Sequence, residues 1–366
     1  MKKVLKIVLV AVNLVLIVLL IGSTMAGKVA PSRFIGFSLL SYCYLYLLIA
    51  NLLFVLIWLV KGSKWFLASI VAIVARYGFL PLYFQVGGTA MLNDSEVQEE
   101  CLKLLTYNVH RFSGVEDGVG RVDSNMLNFL AIVDEESPDL LAMQEYIGKG
   151  DTLPLTKRLM ERGYTNIATG YENGSVTGEV IFSKLPLIRV VRVEGPSKLY
   201  ASLMWGDDTL RLYCLHLNSY GLDESDQQQI HDLSRGNVDK GTGRGTLHKF
   251  RETIVRHEQE WQVLQPYFES HERLILVAGD FNETPSSYFY QQTRQYLQDS
   301  YCEVGQGFST TYHGLFTRQN HTIFPAFRID MVLHSSDIEA CSYKRIKSEI
   351  SDHYPIVVTL KKKDQR

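Results

Sequence analysis

The sequence predicts an α/β (α+β) protein: two β-sheets packed together with helices outside, behind an N-terminal region of transmembrane helices. Three observations predict it. The first ninety of the 366 residues are overwhelmingly apolar. From Cys101 onward, apolar runs of strand length recur. Helical stretches with apolar residues three and four apart interleave with them.

The apolar part contains three runs, and spans are expected at roughly 4–22, 35–60 and 65–86. A span needs about 20 residues at ~1.5 Å rise each. The first run is also of signal-peptide length, with Thr24, Met25 and Ala26 as a small-residue cleavage site. Lys2, Lys3 and Lys6 precede the first run, and Lys61 and Lys64 separate the second from the third. Only Lys28 and Arg33 lie between the first two. This bias places the N-terminus in the cytoplasm. Three spans then leave the rest of the chain on the periplasmic side of the cytoplasmic membrane, whereas two would leave it inside. Arg76 interrupts the third run; it either faces a partner or snorkels. Residues 1–90 therefore read as a membrane anchor, 91–100 as an acidic linker and 101–362 as a globular domain.

The domain is mildly acidic. It holds 35 of the 39 Asp and Glu but only 29 of the 37 Lys and Arg. That composition is a poor bulk match for a long duplex, whose affinity comes from neutralising many phosphates. The five cysteines show no CxxC spacing. They imply no zinc site or dense disulfide framework and read as small buried hydrophobes.

Strands are expected at 102–107, 140–143, 179–183, 188–193, 210–217, 273–279, 328–334 and 354–360. Helices are expected at 125–136 and 246–268. Residues 220–245 are polar and Gly-rich and read as a long surface loop, with Arg235, Lys240 and Arg244 as candidate specificity residues or a solvated insertion.

Polar residues recur where these strands end. "TYNVH" places Asn108 past a strand, and "MQEY" places Gln144 and Glu145 past another. "LHLNS" supplies His216 and Asn218, and "GDFN" supplies Asp280 and Asn282. "RID" holds Asp330, and "SDHYP" holds Asp352 and His353. In extended chain, residues i and i+2 point the same way, so His216/Asn218 and Asp280/Asn282 read as paired prongs. Strands ending on one rim would gather these groups into one pocket. There is no serine elbow, reactive-cysteine motif or P-loop. Carboxylate and amide oxygens suit a hard cation such as Mg²⁺ or Mn²⁺. Amide and imidazole donors suit a phosphoryl oxygen gaining charge, and a further carboxylate can take a proton from water. The sum is metal-assisted hydrolysis of a phosphoester.

The ordered set "TYNVH", "MQEY", "GEVIFSKLPL", "LHLNS", "GDFN", "RIDMVL" and "SDHYP" resembles the endonuclease/exonuclease/phosphatase superfamily, over essentially the whole domain. The resemblance implies a four-layer αββα sandwich of two mixed β-sheets with its site at one end. It implies Glu145 as principal metal ligand, with Asp352 toward the metal and Asn108 completing the metal or phosphate shell. It implies Asp280 as the group orienting water, steadied by Asn282. It implies His353 on the phosphoryl group, oriented by Asp330, with His216 and Asn218 stabilising the oxyanion. His110 departs from the pattern of some members, which carry an acid there.

Other features read as structural. His248, His257, His271, His313, His321 and His334 are not tied to the set. Gly178 permits a close backbone approach. Tyr288 and Tyr290 line the mouth or fill the core. The expected function is a membrane-anchored, divalent-metal-dependent phosphoesterase. Nucleic acid, phospholipid head groups and sugar phosphates all remain candidate substrates, and no obligate protein partner is evident. The alternatives are a catalytically silent phosphate-binding module and an accessory domain of a membrane sensor.

Overall fold

The computed structural model describes residues 2–87, 101–113, 122–147, 154–171, 177–193, 198–222, 226, 243–270, 273–314 and 327–363. The expected linker at 91–100, Arg235, Lys240, His271 and His321 lie outside them. Four helices come first: α1 (Lys2–Ser23), α2 (Ile35–Ser41), α3 (Tyr44–Val60) and α4 (Phe66–Ala75). Then follow β1 (Phe84–Gln85), β2 (Leu102–Asn108), α5 (Val122–Glu136), β3 (Leu140–Ile147), α6 (Pro154–Met160) and β4 (Asn166–Thr169). Next are β5 (Thr177–Ser183), β6 (Leu187–Arg192), β7 (Lys198–Trp205), β8 (Asp208–His216), α7 (Gly243–Phe268) and β9 (Leu274–Asp280). The last are α8 (Tyr288–Thr293), β10 (Gln298–Asp299), α9 (Ser300–Val304), β11 (Gly307–Phe308), β12 (Asp330–His334), β13 (Ile338–Arg345) and β14 (Ile356–Lys362).

Two six-stranded sheets carry the domain, in the orders β10-β12-β9-β8-β7-β6 and β13-β14-β2-β3-β5-β4. Each holds one parallel pair, β8 with β9 and β2 with β3, and is otherwise antiparallel. The parallel pairs follow from their connections, because α7 and α5 each carry the chain back across a sheet.

Side-chain alternation explains the layers. Leu212, Cys214, Leu276 and Ala278 point between the sheets and meet Leu104, Ala142 and Ile181. Their strand neighbours Tyr213, Leu215, Ile275 and Val277 point outward and pack under Trp261, Leu264 and Phe289 of α7 and α8. On the other side, Leu105, Leu141 and Met143 pack under Phe129, Leu130 and Val133 of α5. Strands buried on both faces read as unbroken apolar runs, which is why the sequence shows them plainly. The result is the αββα sandwich.

The N-terminal helices differ from the expected spans. The run 35–60 is bent by 72° between α2 and α3. The run 65–86 forms a helix of ten residues and then a tight turn of helix over Tyr77–Leu82 that contains Pro81. Among the described residues, α1 alone is by itself long and apolar enough to cross a membrane. Arg76 stands at the end of α4, not within a span. Helices α1 and α3 run antiparallel: the Trp58 indole donates to Asn13 at 2.8 Å, and Asn51 donates to the Leu16 carbonyl at 3.1 Å. Leu20, Tyr44 and Leu48 share a core with α7 and α8 of the sandwich. All five cysteines are free thiols; Cys214 and Cys341 are buried as expected, whereas Cys43 is exposed.

Candidate active site

The expected polar groups meet at one end of the two sheets. The register puts Asp280 level with His216 on one side and with Asp330 on the other. In the facing sheet, Asn108 is level with Gln144. Gly279 makes this possible. Its φ is +142°, and a Cβ there would lie 1.9 Å from the Leu215 carbonyl oxygen, so only glycine lets β8 and β9 close at this end.

Asp280 is the centre. Its Oδ2 accepts from Asn108 Nδ2 at 3.1 Å and lies 3.7 Å from both His216 Nε2 and His353 Nε2. Its Oδ1 accepts the Asn282 amide at 2.8 Å. Burial pushes the Asp280 carboxyl above its ordinary value, and Asp330 adds to this, while His353 and His216 oppose it. His353 Nδ1 donates to Asp330 Oδ2 at 2.8 Å. Burial works against a charge on His353, but Asp330 and Asp280 outweigh it and hold the ring well above the ordinary imidazole value.

Glu145 reaches the pocket through a bulge in β3 between Met143 and Tyr146. Its φ is +52°, unusual for a side chain with a Cβ. The bulge re-aims the carboxylate. Oε1 accepts from Asn108 Nδ2 at 3.2 Å and lies 3.8 Å from His216 Nε2. Gln144 keeps the strand alternation and stays between the sheets, donating to the Ala142 carbonyl at 3.1 Å. Asp352 completes the opposite rim, 3.9 Å from His353 Nε2.

The geometry places three expected site residues at its margins or between carboxylates: Asn218, Asn282 and Asn108. Strands β8 and β9 end at His216 and Asp280, so the i, i+2 rule does not reach Asn218 or Asn282. Asn218 donates to Glu260 on α7 at 2.9 Å and makes no hydrogen bond to the cluster among the described residues. Asn282, with φ +48°, donates to the Leu217 carbonyl at 2.9 Å and so ties the two strand ends together. Asn108 offers its NH₂ to two carboxylates, and its oxygen accepts the His110 amide at 3.0 Å. As placed, it is a bridging donor.

One pocket residue escapes a sequence reading. Glu179, 1% exposed, lies 3.8 Å from His216 Nδ1. It sits in "GEVIFSKLPL", where it reads as one strand residue among others. His110 lies 3.5 Å from Asp352. Gly178 behaves as expected, since a Cβ would meet the Tyr171 ring at 2.7 Å. Tyr290 is fully buried against Asp299 and Arg328 and so belongs to the core.

The donor set suits a hard cation. Glu145, Glu179, Asp280, Asp330 and Asp352 gather around His216, His353 and the Asn108 amide. Asp280, Asp330 and His353 offer ligand atoms within 4.8 Å of one another. Asp330 Oδ1 is buried without a hydrogen-bond partner among the described residues. Such an excess of buried carboxylate favours a cation.

The chain also resembles known proteins. Three solved structures align at TM-score 0.50. The endonuclease/exonuclease/phosphatase from Bacteroides vulgatus is 16% identical, over 72% of this chain and all of that one. The human Nocturnin catalytic domain with bound sulfate anion is 16% identical, over 73% of this chain and 95% of that one. D. rerio TDP2 complexed with a single-strand DNA product is 15% identical, over 71% and 98%. At these identities the likeness shows the fold. No curated protein matches the chain. Residues 5–83 match a family described as a domain of unknown function. Residues 105–353, which include every pocket residue named above, match a second family model, and the chain belongs to the Endonuclease/Exonuclease/phosphatase family of phosphoester-hydrolysing enzymes.

Proposed function

We propose that the chain is a divalent-cation-dependent phosphoesterase, anchored in a membrane and acting on its outer side. One observation carries the chemistry: a buried carboxylate, Asp280, stands 3.7 Å from each of two imidazoles, His353 and His216, at the mouth of the sandwich. Asp280 orients water and takes its proton; burial strengthens it as a base. His353, held by Asp330, donates to the phosphoryl oxygen. His216 Nε2 has no hydrogen-bond partner among the described residues and donates to a second oxygen. Glu145 and Asp352, the partly exposed rim carboxylates, would hold Mg²⁺ or Mn²⁺, because such a cation keeps several waters and needs open ligands. The bound ion supplies charge neutralisation at the phosphoryl group.

The anchor reading rests on an inverted pattern. Within α1, α3 and α4, Asn13, Asn51 and Ser69 are buried, while Val15, Leu56 and Val71 are exposed. Apolar surface facing outward with polar groups paired inside is the arrangement a bilayer selects. The start of α1 and the end of α3, marked by Lys3, Lys6, Lys61 and Lys64, lie opposite the Leu20 and Tyr44 ends that pack on the sandwich, and the positive-inside rule puts the lysine end in the cytoplasm. The sandwich end of the bundle adjoins the catalytic loop, since Ser286 donates to the Ser41 carbonyl at 2.8 Å. That placement favours phosphoesters in the lipid head-group layer.

The test is the full chain in vesicles or detergent against phospholipid, plasmid DNA, RNA, sugar phosphate and bis-p-nitrophenyl phosphate, each with Mg²⁺, with Mn²⁺ and with EDTA. The expected result is cation-dependent hydrolysis, fastest on lipid. Cleavage indifferent to EDTA would remove the cation, and binding without cleavage would leave a silent module. Protease access to the C-terminus in sealed vesicles reads the side.

A further inference from the structure

A chain of buried polar contacts runs from the bend between α2 and α3 to the catalytic strand ends. Tyr42, at that bend, donates to Glu283 Oε2 at 2.7 Å and meets the Tyr220 hydroxyl. Glu283 follows Asn282 directly. Its other oxygen lies 2.7 Å from His257 Nδ1 on α7. His257 Nε2 lies 2.7 Å from the Asn218 carbonyl oxygen. A carbonyl only accepts, so Nε2 donates; a carboxylate on Nδ1 then requires a proton there too, and the ring is an imidazolium. Lys198 and Glu260 form a second pair at 3.0 Å beside it. Two cations and two anions are thus buried together.

What this chain of contacts holds is specific. His257 fixes the backbone just after His216, and Glu283 fixes the backbone just after Asp280. The Asn282 side chain bridges the same two segments. On the far flank, Arg328 donates to the Leu82 carbonyl at 3.1 Å, two residues before Asp330. Groups from the N-terminal segment therefore hold both strands that carry catalytic carboxylates.

We propose that Tyr42 and the Glu283–His257 pair are positioning residues for the active site, so that the N-terminal helical segment belongs to the catalytic framework. The proposal rests on the phosphoesterase reading, but its test does not depend on it alone. In the full chain, Tyr42→Phe, Glu283→Ala and the double variant are compared with Gln292→Ala, which removes a remote contact to the Gly27 carbonyl. Two readouts are taken: amide exchange at 217–222 and 281–287, and kcat with KM on bis-p-nitrophenyl phosphate.

Tyr42→Phe is expected to raise exchange at both segments and to lower kcat about tenfold, the size of one hydrogen bond to a charged group, with KM little changed. The double variant should match Glu283→Ala alone, because Tyr42 acts through Glu283. Gln292→Ala should do neither. Unchanged exchange, losses confined to KM, or losses that multiply in the double variant would overturn the proposal. Should Glu283→Ala not fold, Glu283→Gln takes its place in the cycle. A wild-type chain that hydrolyses nothing removes the phosphoesterase reading, while the exchange comparison still decides the brace.

Discussion

The floor and the rim of the pocket use the same residue types in opposite states. Asp280, Asp330, Asn108 and His353 form the floor, and none is more than 5% exposed. They are fixed by hydrogen bonds among themselves and to the strand ends. Glu145, Asp352 and His110 form the rim, with side chains 20–34% exposed. Their contacts to the histidines, at 3.5–3.9 Å, match the 3.7 Å contacts of Asp280, so exposure is what sets the rim apart. The difference separates two tasks. Proton transfer needs fixed geometry and a low dielectric, which burial supplies. A hydrated cation needs ligands that open to water.

The comparison can be broken most directly at the floor. Asp280→Asn should lower kcat by about 10²–10⁴, the usual loss of a general base, at any cation concentration. The melting temperature should not fall, because the amide relieves a buried negative charge. At the rim, Glu145→Gln should cost roughly 10–100-fold at low Mg²⁺ and recover at high Mg²⁺, since the loss is one of cation affinity. If raised Mg²⁺ does not restore Glu145→Gln, floor and rim do not divide the labour this way. Asn282→Ala should fall between floor and rim in kind, with about a tenfold loss. It breaks the tie to Leu217 and leaves a β-carbon at φ +48°, where asparagine is tolerated better than alanine.

What the sequence shows and hides follows from the same physics. The strands buried on both faces, β8 and β9, are unmistakable apolar runs. Strand β13 is an edge with exposed polar positions and does not stand out. Asp280 and Glu145 are legible because each ends or interrupts an apolar strand, and His353 because it stands just before one. The direction of Asn218 is not, because it depends on where β8 stops and on Glu260, 42 residues away. The bulge that separates Gln144 from Glu145 leaves no mark in the letters. The N-terminal runs are legible as apolar but not as a packed unit, since the cross-helix bonds of Asn13 and Asn51 appear only once the helices are packed. His257 looks like any polar residue on a long helix; only Glu283 and Asn218, brought to it by the fold, give it a role.

The smallest expected effect tests the layer beneath the floor. Burial opposes a charge on His257, but Glu283 and Glu260 raise its pKa above the ordinary value. The folded chain therefore keeps a proton that the unfolded chain releases as pH rises past about 6.5. The stability this contributes is fully present below about pH 6.5 and is lost as pH rises through the folded value. Wild type and His257→Gln share every other titrating group. The gap between their thermal midpoints should be widest near pH 6 and narrow steadily toward pH 9. A gap constant with pH would mean the ring is neutral, and the floor would then rest on shape and hydrogen bonds, without a buried charge beneath it.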